Sequence, residues 1–148
     1  MRSFEETRTV NCSVDEMFDI VLDIEAYPMF LPWVAGATLL TKESGELTAE
    51  LIADLAGSRH SFQTIDRFVT NKLIEIRLLE GPFRFLESIW TFDAMDDGTC
   101  RVHFSIEFEF RSMMLDLVAS PIFSTACKSM VSAFEKRAIE LKPIAEGS

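Results

Sequence analysis

The sequence is short of basic residues. Fourteen Lys and Arg stand against 24 Asp and Glu, a formal net charge of -10. Nucleic acid is gripped by clustered Lys and Arg, so a direct nucleic-acid ligand is excluded. An anionic bilayer would repel the chain as a whole, leaving only a local basic or apolar patch to dock there. Cysteine is scarce too: Cys12, Cys100 and Cys127 are odd in number, far apart and outside any CxxC or Cys/His cluster. That argues against a disulfide framework and a zinc site, and for reduced thiols in a cytoplasmic setting. No apolar run approaches the ~18 residues of a membrane span. The first ten residues alternate and mix both charge signs, unlike a signal or transit peptide. No repeat, low-complexity tract or Pro/Gly linker divides the chain, so residues 1–148 read as one domain, with 142–148 as a frayed tail.

Phenylalanine is abundant, with 13 copies against a single Tyr. Aromatic bulk without polar tips suits a dry interior, or a cavity for an apolar guest. Ser3 to Val10 reads as a strand. Ser13 and Glu16 form a capping box ahead of a helix with Met17, Ile20, Val21 and Ile24 on one face, and Cys12 is placed to staple against Met17. Tyr27 to Trp33 is an aromatic, proline-rich turn in which Pro28 and Pro32 forbid a long helix.

Strand patterns follow at Leu47–Leu55, His60–Val69, Leu73–Leu79, Phe83–Phe92 and Val102–Phe110, with breaks at Gly57, Asn71-Lys72, Gly81-Pro82 and Asp96-Asp97-Gly98. Phe123, Cys127, Met130, Phe134, Ala138 and Leu141 then form a helical apolar stripe. Ahead of it, Met113 to Ala119 is apolar nearly all round. Pro121 implies a joint there, either a kink or a fresh helix capped by Ser120. The expected architecture is α+β: a curved antiparallel sheet of six or seven strands around a long C-terminal helix, with short helices after the first strand. This is a helix grip, and its sheet–helix gap can be filled or left open.

Five segments carry a family likeness: MFDIVLDIEAYPMFLPW after the first strand, the arginine of TIDRFV, GPFRFLESIWTF, CRVHFSIEFEF, and MVSAFEKRA in the last helix. With these, the chain from Phe4 to Leu141 resembles the START-like coenzyme Q-binding family, which also holds ribosome-association toxins and is related to polyketide cyclases. The likeness implies a helix-grip fold with a hydrophobic cavity, and ubiquinone or a related lipid as ligand in support of respiratory electron transfer. The family often has Cys after the Pro-Trp pair. Here that position is Val34, so no thiol role exists there.

The candidate ligand site follows from these segments. Tyr27, Phe30, Leu31, Pro32 and Trp33 form either a rigid corner plugging the core or the rim of a cavity mouth. Phe62, Trp90, Phe92, Phe104, Ile106 and Phe108 are core residues that can equally wall a cavity. Met113 and Leu117 belong to a segment that is either buried or a lipid-touching gate hinged at Ser120-Pro121. A quinone head needs hydrogen-bond donors. Arg67, Arg84, His60, Tyr27 and the Trp90 indole are available, and Arg67 ranks first because the family likeness falls on it. His103 alternates with apolar residues and is expected to face solvent.

Neither His has a Ser, Cys or metal-ligand partner at a recognisable spacing, and no phosphate loop occurs. The expectation is therefore a binding protein without a catalytic residue, metal or cofactor. It would deliver its lipid from the cytoplasm, with transient contact at the inner membrane surface. Association with the large ribosomal subunit, through protein, is the alternative. A cyclase or aromatase activity ranks last.

Overall fold

A computed structural model describes residues 1–55 and 57–141. The tail expected to fray lies outside the described residues. Seven strands form one antiparallel sheet: β1 (Arg2–Val10), β2 (Val34–Glu43), β3 (Glu46–Leu55), β4 (Ser58–Val69), β5 (Leu73–Glu80), β6 (Phe83–Ala94) and β7 (Cys100–Phe110). Their order is β1-β7-β6-β5-β4-β3-β2. Six consecutive strands thus form a meander, and β1 returns beside β7 with Phe4 opposite Ile106. The helices α1 (Val14–Leu22), α2 (Met113–Lys128) and α3 (Met130–Glu140) cover the inner face of this curled sheet, giving the expected helix grip.

Period-2 patterning sets which side chains enter the core. In β3, Leu47, Ala49, Leu51, Ala53 and Leu55 are all buried, as their alternation predicts. In β7 the same holds for Val102, Phe104, Ile106, Phe108 and Phe110. The strand β2 carries no such alternation and was not anticipated. It is the sheet edge, paired only with β3, and two register shifts interrupt it.

The α1 cap forms as expected. Glu16 N donates to Ser13 Oγ at 3.3 Å, and Ser13 N donates to Glu16 Oε1 at 2.8 Å. Cys12 and Met17 are in sulfur contact at 3.9 Å. Phe18 joins Met17 and Val21 in the core, while Ile20 is only partly buried. The Tyr27–Trp33 corner begins within a 3-10 helix, Ile24–Met29, which accommodates Pro28.

The expected joint at Ser120-Pro121 is corrected. The helix α2 runs unbroken through Pro121, and the break is at Ser129, where α2 and α3 meet at 47°. Pro121 cannot bond the carbonyl of Leu117, but Leu117 lies on the exposed side of the helix, where water can satisfy that carbonyl. At Ser129 the side chain donates to the Ala126 carbonyl at 3.0 Å, and its N–H is shared between the Thr125 and Ala126 carbonyls. This competition with the helical ladder ends α2. No single helix among the described residues is long and apolar enough to cross a membrane. The bent pair α2 and α3 would reach that length together, but Phe123, Cys127, Val131 and Phe134 along it are buried against the protein core. Leu141, assigned to the buried stripe, is instead half exposed at the end of α3.

Candidate functional site

Two aromatic clusters hold the helices on the sheet. Phe123 of α2 meets Trp33, Phe83, Phe108 and Phe110, with ring centroids 4.7–6.1 Å apart. Phe134 of α3 meets Tyr27, Phe30 and Trp90, each at 5.2 Å. The helix bend at Ser129 lies between these anchors, so the segment joining them bridges the sheet without filling the space beneath. The result is a cavity of about 70 Å³. Phe123, Met130 and Phe134 roof it. Its walls and floor are Tyr27, Trp33, Leu51, Phe62, Thr64, Ile76, Leu86, Ser88, Trp90, Phe104 and Ile106.

Six of the anticipated residues meet here: Tyr27, Trp33, Phe62, Trp90, Phe104 and Ile106. Others are displaced from it. Phe92 packs edge-on to Phe18 beneath α1, and Phe108 belongs to the Phe83–Phe123 cluster. Phe30 lies one layer out, over Phe134 and under the Arg137 guanidinium. Leu31 is buried in the corner and Pro32 is exposed, so neither lines the cavity. Met113 and Leu117 are 86% and 75% exposed, so the burial reading of that segment is wrong.

Arg67, ranked first as a donor, is corrected most sharply. It lies on the outer face of β4 with its Nε 3.1 Å from Glu46 Oε1. Arg84 is likewise outward, 3.6 Å from Glu109. The Trp90 indole does line the cavity, and the Tyr27 hydroxyl donates to the Val21 carbonyl. His60 is half-buried, and its Nε2 has no partner among the described residues, but it does not line the cavity. His103 faces the outer side, bonded to Thr7 at 2.6 Å.

The polar groups that do reach this region were not anticipated. Thr64 and Ser88 line the cavity. Asp66, 1% exposed, accepts from Thr64 Oγ1 at 2.9 Å. Burial pushes the Asp66 carboxyl up to about 7, partly opposed by the Thr64 hydrogen bond. Burial first, then the negative fields of Asp66 and Asp23, hold the Tyr27 phenol well above its ordinary range. A sequence signal existed for these residues. Thr64 and Asp66 share the period-2 face of Phe62, and Ser88 shares that of Trp90, whereas Arg67 has the opposite parity. Among the described residues no cluster of His, Cys, Asp and Glu could hold a metal ion.

Known proteins share this architecture. The profile of the polyketide cyclase/dehydrase and lipid transport family matches residues 10–135. The "Ribosome association toxin RatA" of Rickettsia prowazekii is 35% identical over 145 residues, covering 95% of this chain and 99% of that protein. The "Coenzyme Q-binding protein COQ10 homolog B, mitochondrial" of Xenopus laevis is 31% identical over 145 residues. That match covers 91% of this chain and 57% of the frog protein. Among solved structures, the Zhui aromatase/cyclase from a Streptomyces species superposes with a TM-score of 0.83 at 18% identity, covering 99% of both chains, a likeness of fold alone. The chain therefore belongs to the polyketide cyclase/dehydrase and lipid transport family, and its relatives include proteins named as a ribosome association toxin and a coenzyme Q-binding protein.

Proposed function

We propose that this protein acts as one folded unit that binds an apolar small molecule of the prenylquinone class and exchanges it with a membrane. The observation that carries this reading is the cavity, lined mainly by aromatic and aliphatic side chains between the sheet and the α2–α3 pair. The similarity to a coenzyme Q-binding protein supports the ligand class. At about 70 Å³ the cavity is smaller than the ~150 Å³ void that takes up benzene, so loading requires the helices to lift from the sheet.

Burying a five-carbon prenyl unit gains up to ~4 kcal/mol against water, at ~0.8 kcal/mol per methylene. A bilayer offers the tail the same gain, so preference for the protein rests on the head group and transfer is reversible. The helix α2 links the two environments. Phe123 roofs the cavity, while Met113, Met114, Leu117 and Val118 on the same helix are half to almost fully exposed. Arg84 and Arg111 lie beside Met113 and Leu117 together with Glu109 and Asp116, so the rim carries both charge signs and contact with a membrane would rest on the apolar side chains. We assign this end of α2 as the membrane-touching element of a protein working from the cytoplasm. It binds and does not turn over its ligand.

Extraction of freshly purified protein into organic solvent, followed by mass spectrometry and a quinone absorbance scan, tests the reading. A stoichiometric prenylquinone is the expected result. No bound lipid and no uptake of quinone from vesicles would refute it. The likeness to ribosome-association toxins, over 95% of this chain, favours a second reading in which the acidic surface docks on a basic ribosomal protein. Co-sedimentation with the large subunit in place of lipid uptake would establish it.

A further inference from the structure

Ser88 is a hydroxyl without a partner among the described residues, in a largely apolar chamber whose other hydroxyl, Thr64, is engaged with Asp66. It is 4% exposed, lines the cavity, and its Oγ makes no hydrogen bond among the described residues. A buried donor left unmade is destabilising, and alanine would occupy the site without that penalty. The register shows what lies across from it. Ser88 stands opposite Ile76 of β5, and Ile76 stands opposite Asp66 of β4. Two strand spacings, ~10 Å, therefore separate Ser88 from Asp66, with the Ile76 side chain between them as an apolar platform.

Asp66 is joined to the cavity through Thr64, whose hydroxyl donates to it. The β3 and β5 residues opposite Asp66 are Leu47 and Ile76. The titratable groups nearby in the helical layer are Tyr27, whose hydroxyl is already engaged with Val21, and Asp23. Because burial holds the Asp66 carboxyl up to about 7, its proton-bearing form is populated at neutral pH, and a neutral carboxylic acid is a donor.

We propose that Ser88 and the Thr64–Asp66 pair form a head-group subsite, in which the Ser88 hydroxyl and the Thr64 hydroxyl, backed by Asp66, hold the oxygen acceptors of one planar ring lying over Ile76. The ligand class is a cyclic dione with an apolar tail. This rests on the apolar-ligand reading and adds the part that discriminates: the chamber selects for apolar bulk, and the polar row selects for carbonyl oxygens.

The test uses the full chain and two probes, 2-decyl-1,4-benzoquinone and decylbenzene, which share tail and ring and differ in the oxygens. Both are offered together in phosphatidylcholine vesicles, and the amount of each carried away by the protein is measured by mass spectrometry. The wild type should enrich the quinone. Ser88→Ala should lower the quinone-to-hydrocarbon ratio by about three- to tenfold, the range for one neutral hydrogen bond. Raising the pH from 6 to 8.5 should lower the ratio in the wild type but not in Asp66→Asn, which keeps an amide donor at every pH. Thermal melts confirm that each variant is folded. Uptake of both probes with a ratio insensitive to Ser88→Ala and to pH overturns the subsite while leaving the apolar-ligand reading intact. A wild type that takes up neither probe overturns both.

Discussion

Asp66→Asn should stabilise this protein at alkaline pH and leave it nearly unchanged in acid. The carboxyl is 1% exposed and titrates at about 7 in the fold, against an ordinary 3.8. A folded-state value raised above the unfolded one means that the native chain holds the proton more tightly. Stability is then full below about pH 3.8, declines as the pH rises towards 7, and stays reduced above it. At 1.36 kcal/mol per pH unit, that separation corresponds to up to about 4 kcal/mol. Relaxation and water entry would reduce the figure. The Asn side chain keeps an acceptor for the Thr64 hydroxyl and cannot ionise. Urea unfolding of both proteins at pH 5 and pH 8.5 measures the difference directly. The variant should gain about 2–4 kcal/mol on the wild type at pH 8.5, and roughly two-fifths of that at pH 5, where the unfolded carboxyl is already ionised. Comparing the two proteins at each pH cancels the acids whose values are lowered, such as Asp116 beside Arg2. An equal gap at both pH values, or a variant less stable at pH 8.5, would refute the reasoning.

Three further perturbations probe the surrounding frame. Gly81 has φ +150°, and a Cβ there would overlap Phe62 Cβ, so Gly81→Ala should lose about 1–3 kcal/mol in denaturant unfolding and push a cavity wall inward. Leu117→Asp changes a residue that is 75% exposed, so its melting temperature should match the wild type while quinone transfer from vesicles slows; normal transfer would remove α2 from the membrane-contact role. Ser13→Ala deletes one half of the α1 capping box and should lower stability by about 1 kcal/mol without altering which lipids are taken up.

The strands β3 and β7, the α1 cap and the C-terminal apolar stripe could all be read from the chain because each depends on a period that backbone geometry imposes. Side chains alternate across a strand and recur every three to four residues on a helix whatever the rest of the molecule does. The same parity already separated Arg67 from Phe62, five residues before it, and grouped Thr64 and Asp66 with Phe62. Ranking Arg67 by family likeness set that geometric signal aside, and the structure restored it. Edge strand β2 had no such signal, because an edge that packs on one side and bulges twice leaves little pattern. The helix joint was misplaced for a related reason. Proline breaks a helix only where the freed carbonyl cannot find another partner, and exposure at Leu117 is a property of the folded surface. What the chain determined alone was a helix grip with a greasy interior. That the interior remains underfilled, that Ser88 lacks a partner among the described residues, and that a buried carboxyl lies behind the lining Thr64 were decided by tertiary packing. Volume, desolvation and hydrogen-bond satisfaction depend on distances across the sheet, between residues that sequence spacing does not bring together.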